Sequence, residues 1–369
     1  MNVMKLLVVC VYLLTCVSVR AAAESSVSYT PAVPGYEFTF PRDHGSHPDF
    51  RTEWWYFTGN IQDAEGHPFG YEFTIFRNAA APVSEASTSP LAATQIYLAH
   101  FAISDIGDRQ HQAWERIGRE GFGQGAASTE TLDAHVGAWT MKMDADGTIH
   151  LLAKEDDVEI NVTLSAEKPY VIHGENGVHQ KSEGAGHASH YISNTRMRTD
   201  GTITWRGKSH SISGASWMDH EFGSSQLTAE EVGWDWFALQ LSTGEEVMVY
   251  QMRKKDGSIS SVSTGSVIAA NGDKTILRQA DVEIKTTRRW KSPETGGDYP
   301  MGWRVSIQKD SAELTVEPDF DEQEMRMERH THTSYWEGAV TVTGTWRGEK
   351  EKGKGYVELV GYARPFGLL

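Results

Sequence analysis

Residues 190–223 read HYISNTRMRTDGTITWRGKSHSISGASWMDHEFG, and the chain returns to a related aromatic pattern at Gly233–Phe237, GWDWF. The first stretch is dense in β-branched and aromatic residues and is broken by glycine, the pattern of paired strands rather than of a helix. Its pieces recur. Thr204-Trp205-Arg206-Gly207 reappears as Thr345-Trp346-Arg347-Gly348, and in each case a glycine follows seven residues after the last one, at Gly214 and Gly355. Tyr191 and Tyr335 head the two runs. Trp54-Trp55-Tyr56-Phe57 matches Trp234-Asp235-Trp236-Phe237. Each is followed by an apolar run, a glycine-containing turn and a second run ending at Arg77 or Arg253. A module that opens and closes the same way twice is the signature of an internal duplication.

Between these landmarks, short aromatic and β-branched runs alternate with polar turn clusters. Examples are EWWYFTGNIQ, GYEFTIFRN and QIYLAHFAIS (within residues 53–104). Asp146-Gly147, Asp200-Gly201, Asp256-Gly257 and Asn271-Gly272 are read as hairpin turns. Sustained 3.6-residue periodicity is scarce, and only residues 226–232 and 319–329 are candidates for short helical turns. The fold class expected is therefore all-β, as two antiparallel barrels from one duplicated unit. The boundaries read are a lead-in at 24–52 (extended, rich in Pro, Ser and His), a first domain at 53–224 and a second at 233–369. Closing the sheets would remove their exposed edges. A small barrel can hold one apolar ligand, although the same rings could simply fill two cores.

The N-terminus is read separately. Lys5 precedes an apolar run, Leu6–Val19, and then Ala21-Ala22-Ala23. At about 14 residues the run is shorter than the roughly 20 needed to span a bilayer, and it fits a secretory signal cleaved near Ala23. Periplasmic or secreted localisation is expected; an uncleaved anchor and a lipoprotein modified at Cys16 are the alternatives. Both cysteines, Cys10 and Cys16, fall inside this segment, so the rest of the chain has no thiol chemistry. The formal charge of the whole chain is −16; without Lys5 and Arg20 it has 32 basic against 50 acidic residues, or −18. Such a surface repels phosphate backbones, which excludes nucleic acid as a partner, and no later run is long and apolar enough for a transmembrane segment.

Several longer motifs carry a resemblance. FPRDHGSHPDFRTEWWYFTGN (Phe40–Asn60), GASWMDHEFG (Gly214–Gly223), GWDWFALQL (Gly233–Leu241), YWEGAV (Tyr335–Val340) and GYVELVGYA (Gly355–Ala363) resemble the AttH / carotenoid 1,2-hydratase superfamily over essentially the whole chain after the signal. The resemblance implies two tandem lipocalin-like β-barrels; no cofactor is assigned. In one branch the activity is addition of water to the terminal isoprenoid double bond of acyclic carotenes; fungal relatives guide cycloadditions. The other branch, AttH-type, is exported and associated with permeases of ABC-type transporters. The signal and the wording of EWWYFTGN and WMDHEFG look more like this second branch. It implies ABC transporter permease subunits as partners and leaves the activity undefined; the hydrophobic, isoprenoid or lipid-like partner molecule is expected from the charged groups set among large aromatic rings at the junction. By resemblance to the hydratases, Asp219 falls on the proposed acid and His190 on its assistant. Trp217 and Ile192 stand where the hydratases typically show Tyr and Trp.

Protonating an unactivated alkene needs an acid that keeps its proton near neutrality. Burial of Asp219 beside Trp217 and Trp236, with Asp235 as a charged neighbour, is expected to raise its pKa. His190 or His220 would hold the water. Tyr191, Glu221, Trp234, Trp54 and Trp55 complete the substrate-binding set. The competing expectation is a polar hinge in which Asp219, His220 and Glu221 pair with Arg196, Arg206 or Arg253. The histidine pairs His44/His47, His187/His190 and His330/His332 lack an assignable third ligand, so no metal is assigned.

Overall fold

The computed structural model describes residues 29–80 and 93–366; the segment read as a signal lies outside the described residues. The chain forms two large antiparallel sheets. In the first, the hairpin Ala188–Trp205 with Lys208–Gly223 is central. Thr52–Asp63, Pro68–Ala79, Gln95–Asp105 and Gln110–Arg119 follow in order on one side. Val158–Ala166, Ile149–Glu155, Trp139–Met143, Asp133–Val136 and Gly125–Ala127 follow on the other. The ends approach at a bridge between Glu120 and Gly125, leaving the sheet nearly closed.

The second sheet repeats the plan. Its central hairpin is Thr333–Trp346 with Glu349–Leu359. Glu231–Leu241, Glu246–Lys254, Thr264–Ile268 and Lys274–Arg278 lie on one side, and Ala312–Pro318, Asp298–Ile307 and Val282–Lys291 on the other. In both sheets the first strand pairs with the last. The repeated TWRG peptides are the tips of the two central hairpins. Arg206 and Gly207 have φ of 51° and 75°, Arg347 and Gly348 52° and 85°, so both are two-residue turns of the kind whose twist suits a hairpin. The fold is thus the expected all-β lipocalin-like one.

Three local readings need correction. Asp200-Gly201 is not a turn: it lies inside the long strand Ala188–Trp205, where a Cβ on Gly201 would sit 2.3 Å from the Asn161 carbonyl oxygen. The glycine is there for close approach of a neighbouring strand. Residues 226–232 form a turn leading into a strand, and 319–329 contain the short strand Glu324–Met327, so neither is helical. The segment read as extended turns tightly at Arg42–His44 and buries Asp43, His44, Ser46, His47 and Phe50 against the first sheet.

Side chains fill both interiors. Trp55, Phe57, Tyr71, Phe73, Phe101 and Trp139 occupy the first; Phe237, Tyr299, Trp303, Trp336 and Trp346 occupy the second. A third apolar cluster lies where the outer faces of the two sheets meet, built from Tyr191, Trp217, Trp236, Met248, Tyr250, Met252, Ala339 and Tyr356. That seam positions the candidate site.

Candidate functional site

Strand alternation decides which residues of SWMDHEF meet. Successive side chains point to opposite faces. Met218 therefore joins the first interior, while Trp217 joins the seam between the sheets. Asp219 and Glu221 share the face of Trp217; His220 faces inward, stacked on Trp55 with ring centroids 5.0 Å apart. On the neighbouring strand Ser193 lies opposite Asp219 in register, and Tyr191 opposite Glu221. The same rule sends His190 away from the seam, into a cluster with Tyr36, Phe38, Phe50 and Phe222. There its Nδ1 meets the Gly177 carbonyl at 2.8 Å.

Asp219 is buried and held entirely by neutral donors. Tyr191 Oη donates to Oδ2 at 2.6 Å, and Trp217 Nε1 donates to Oδ1 at 2.7 Å, where the Ser193 hydroxyl also donates. Tyr191 Oη in turn accepts a bond from Trp236 Nε1 at 3.3 Å. Among the described residues no ion pair reaches Asp219: Lys181 pairs with Glu221, Arg196 with Glu246 and Arg253 with Asp235. Burial pushes its pKa up to about 7, against the downward pull of the Ser193, Tyr191 and Trp217 hydrogen bonds. A carboxylic acid surrounded by aromatic rings and retaining its proton near neutrality can act as a proton donor.

The seam holds more acid than base. Glu221 accepts from the Ser189 hydroxyl and pairs with Lys181 Nζ at 2.6 Å; that ammonium lies 5.0 Å from the Tyr191 ring centre and 4.8 Å from that of Tyr250. Across the seam, Glu358 accepts from Trp234 Nε1 at 2.7 Å, and burial pushes its pKa up to about 7. Glu337 accepts from Tyr56 Oη at 2.6 Å and is raised well above the carboxylate range, again chiefly by burial. Tyr56 is itself the ladder neighbour of Asp219 and packs edge-on against Trp236 at 5.3 Å.

A second buried network lies inside the first sheet. Glu53 accepts from Arg77 Nε at 2.8 Å and from the His47 amide at 2.9 Å. One of its oxygens meets His47 Nδ1 at 2.7 Å and His220 Nε2 at 2.8 Å. Asp43 closes the chain at His47 Nε2, 3.1 Å away. Burial alone would raise Glu53, but His47 and Arg77 outweigh it and hold its pKa well below the usual range. His47, Glu53 and His220 offer ligand atoms within 4.8 Å of one another. The donor set nevertheless suits protons better than a metal: both imidazole nitrogens contact one carboxylate oxygen at hydrogen-bond distance, and a guanidinium already neutralises the other.

The residues read from sequence therefore separate. Asp219, Trp217, Tyr191, Glu221, Trp236 and Trp234 come together at the seam, with Trp54 half-buried on the same strand face as Tyr56. His190 and His220 do not join Asp219, because each is one residue out of phase with the face it was expected on. Trp55 belongs to the first interior. Asp235 is also on the wrong face: it pairs with Arg253 Nε at 3.0 Å and Tyr362 Oη at 3.0 Å, so it is not the neighbour that raises Asp219. Nor do the arginines expected for a polar hinge reach Asp219. Arg253 serves Asp235, and Arg196 pairs with Glu246 at 2.6 Å. Ser193, Lys181, Glu358 and Tyr56 were missed. For Ser193 the two-residue period was a usable signal; the others depend on contacts distant in sequence.

The hollow beside Trp217, bounded also by Thr58, Asn60, Gln240 and Tyr356, measures about 10 Å³, room for about one water. A larger groove of about 440 Å³ runs between the Gln110–Arg119 strand and Glu324–Glu328, lined by His111, Trp114, Glu294 and Arg326, away from Asp219. Of the two readings open from the sequence, a ring-lined cavity or ring-filled cores, the aromatic clusters buried in both sheets match the second.

A family model described as AttH-like matches residues 31–362. Among curated proteins, kievitone hydratase of Fusarium solani subsp. phaseoli is 24% identical over 248 residues, covering 65% of this chain and 68% of that protein. A solved structure described as an AttH protein from Nitrosomonas europaea superposes with a TM-score of 0.81 at 32% identity, covering 90% of this chain and 99% of the other. The structure of kievitone hydratase from Nectria haematococca gives a TM-score of 0.66 at 19% identity, covering 85% and 90%, a likeness of fold.

Proposed function

Since the chain belongs to the AttH-like family, we propose that it is a hydratase-type acid catalyst, adding water to a carbon–carbon double bond of an isoprenoid-like chain at the seam between its sheets. The observation that carries this reading is the Asp219 carboxyl, buried among aromatic rings, hydrogen-bonded only by neutral donors and pushed up to about 7. Such a group delivers a proton to the less substituted alkene carbon. The tertiary cation that forms is stabilised by the faces of Trp217 and Trp236, at about 0.5–2 kcal/mol each. Water adds to the cation, and the proton it sheds restores Asp219, so the net reaction is alkene plus water to tertiary alcohol. Similarity to kievitone hydratase supports the reaction class. About 10 Å³ is open beside Trp217, so hydration at Asp219 requires the seam, against which Leu227 of the inter-sheet connection packs, to open for the substrate.

The test is turnover in ¹⁸O-water with kievitone and with an acyclic carotene, followed by mass spectrometry. Wild type is expected to give a labelled hydrate and Asp219→Asn none. Equal turnover by both removes Asp219 from the mechanism.

The second reading is a periplasmic or secreted carrier of a lipid-like molecule that serves an ABC-type permease. The AttH-type wording of EWWYFTGN and WMDHEFG supports it, and the filled interiors count against it. Co-purification of an unaltered lipid with both wild type and Asp219→Asn, without turnover, favours this carrier.

A further inference from the structure

Behind Asp219, on the side away from Tyr191 Oη, a hydrogen-bonded chain continues into the second sheet. His173 follows the short strand Val171–Ile172 and is fully buried. Its Nε2 lies 2.8 Å from Ser193 Oγ, and its Nδ1 lies 3.3 Å from Oγ of Ser266 on the second sheet. The ring is fixed by a tilted contact with Tyr191, centroids 4.3 Å apart, and its backbone N–H donates to the Tyr191 carbonyl at 2.8 Å. Ser193 and Ser266 are buried as well, so solvent offers no substitute partners.

We propose that His173 is a positioning residue for Asp219, acting through the Ser193 hydroxyl to keep the acid's proton on Oδ2, the oxygen that faces Tyr191. The argument is one of donor counting. A serine hydroxyl carries a single hydrogen, and that of Ser193 is committed to Asp219 Oδ1. The nitrogen of His173 that meets Ser193 must then be the donor, Nε2–H, leaving Nδ1 bare to accept from Ser266. Trp217 Nε1 is a donor only, and it too is aimed at Oδ1. With two fixed donors filling Oδ1, the proton of the neutral acid has its place on Oδ2, where Tyr191 Oη, the donor to the carboxylate, accepts from the acid instead. Remove His173, and the Ser193 oxygen is free to turn and accept from a proton on Oδ1, which stabilises the neutral acid on the wrong oxygen.

The charged and titratable groups around this chain are few. Asp219 faces Tyr191 and Glu221 on its own sheet, Lys181 beside them, and Glu337 and Glu358 across the seam. His173 faces His179, Lys181 and Lys274; burial first, and then the two ammonium groups, hold it neutral. None of these competes for the two hydrogen bonds of its imidazole.

This proposal deepens the hydratase reading and rests on it, but its decisive measurement needs no substrate. The Asp219 carboxyl is titrated by ¹³C NMR in protein labelled at aspartate side chains, with Asp219→Asn to assign the signal. In His173→Leu the titration is expected to move upward by about half a unit or more, because the carboxylate loses a polarised donor. His173→Gln, whose amide can donate where Nε2–H did, is expected to return it toward wild type. If His173→Leu does not fold, Ser266→Ala is read instead, with a smaller shift of the same sign. An unmoved titration in a folded variant overturns the proposal. Where a substrate is turned over, the fall of kcat with rising pH shifts upward in His173→Leu, its plateau drops about tenfold, and KM is unchanged. A drop in kcat with an unshifted profile also overturns it. Failure of wild type to hydrate any alkene sinks the hydratase reading while leaving the titration result standing as a separate fact.

Discussion

Replacing Asp219 by Asn should make the protein more stable, and by an amount that grows with pH. The folded acid holds its proton up to about pH 7; in the unfolded chain an aspartate lets go near pH 4. Between those values the folded state binds a proton that the unfolded state does not, so stability falls as pH rises through the window and levels off above it. At roughly 1.4 kcal/mol per unit, the cost of the acid is about 1–2 kcal/mol at pH 5 and about 4 kcal/mol at pH 8. Asn keeps the shape and carries no charge. Its own mismatched hydrogen bond with Tyr191 is the same at both pH values and cancels in the difference. Urea unfolding of wild type and Asp219→Asn at pH 5 and pH 8 should therefore show the variant's advantage growing by about 2–3 kcal/mol. A difference flat with pH refutes the argument, because it means that Asp219 is ionised in the folded protein at neutrality. An acid so placed is a burden on the fold, and a burden of this kind is typical of a working site rather than of a structural pairing.

Four further outcomes are open to measurement. Tyr56→Phe removes the one hydrogen bond that the Glu337 carboxyl makes among the described residues, its Oε2 being without a partner there; a loss of about 1–3 kcal/mol in urea unfolding is expected. Glu53→Gln leaves Arg77 buried without its counter-charge and should cost about 3–5 kcal/mol at pH 7. Because the folded pKa of Glu53 is depressed, that penalty should shrink as pH drops below the unfolded value of about 4. Gly201→Ala and Gly344→Ala should each destabilise by about 1–3 kcal/mol, since φ is 151° and 149° and the added Cβ would meet a neighbouring carbonyl oxygen at 2.3 Å and 2.1 Å; an effect in one copy alone contradicts the structural repeat. Glu358→Gln should gain stability with rising pH as Asp219→Asn does, yet leave hydration intact.

The duplication was readable because the hairpin tips need a left-handed backbone twice, and TWRG supplies it both times. The all-β class was readable from the same runs. Within the site, alternation should have been applied to WMDHEF before its residues were grouped: in a strand, Asp219 and His220 cannot share a face. Asp200-Gly201 misled for a different reason. A glycine needed for close strand approach and one needed for a turn look alike in one dimension, and only the pairing partner, Asn161, tells them apart. The Asp43–His47–Glu53 network was invisible because residues 24–52 show no periodicity, and their burial depends on a sheet formed by distant strands. His173 had no local signal at all; its significance comes from Ser193, twenty residues on, and from Ser266 in the other half.

The two copies explain why acids gather at the seam, and also why only one is given the chemistry. In the repeat Tyr56 corresponds to Trp236, and these two rings touch edge to face across the seam. The ladder neighbour of Tyr56 on the last strand is Asp219; that of Trp236 is Glu358. Equivalent places in a duplicated sheet thus hold carboxyls that the same desolvation pushes to about 7. Their surroundings have diverged. On the strand beyond, Asp219 has Ser193 with the His173 chain behind it, whereas Glu358 has Glu337, a second acid. One copy has acquired hydroxyl and imidazole groups able to direct a proton, while the other has a carboxyl supported, among the described residues, by a neighbouring indole N–H alone. Placing catalysis at Asp219 rather than Glu358 follows from that asymmetry, since burial is common to both and cannot choose between them.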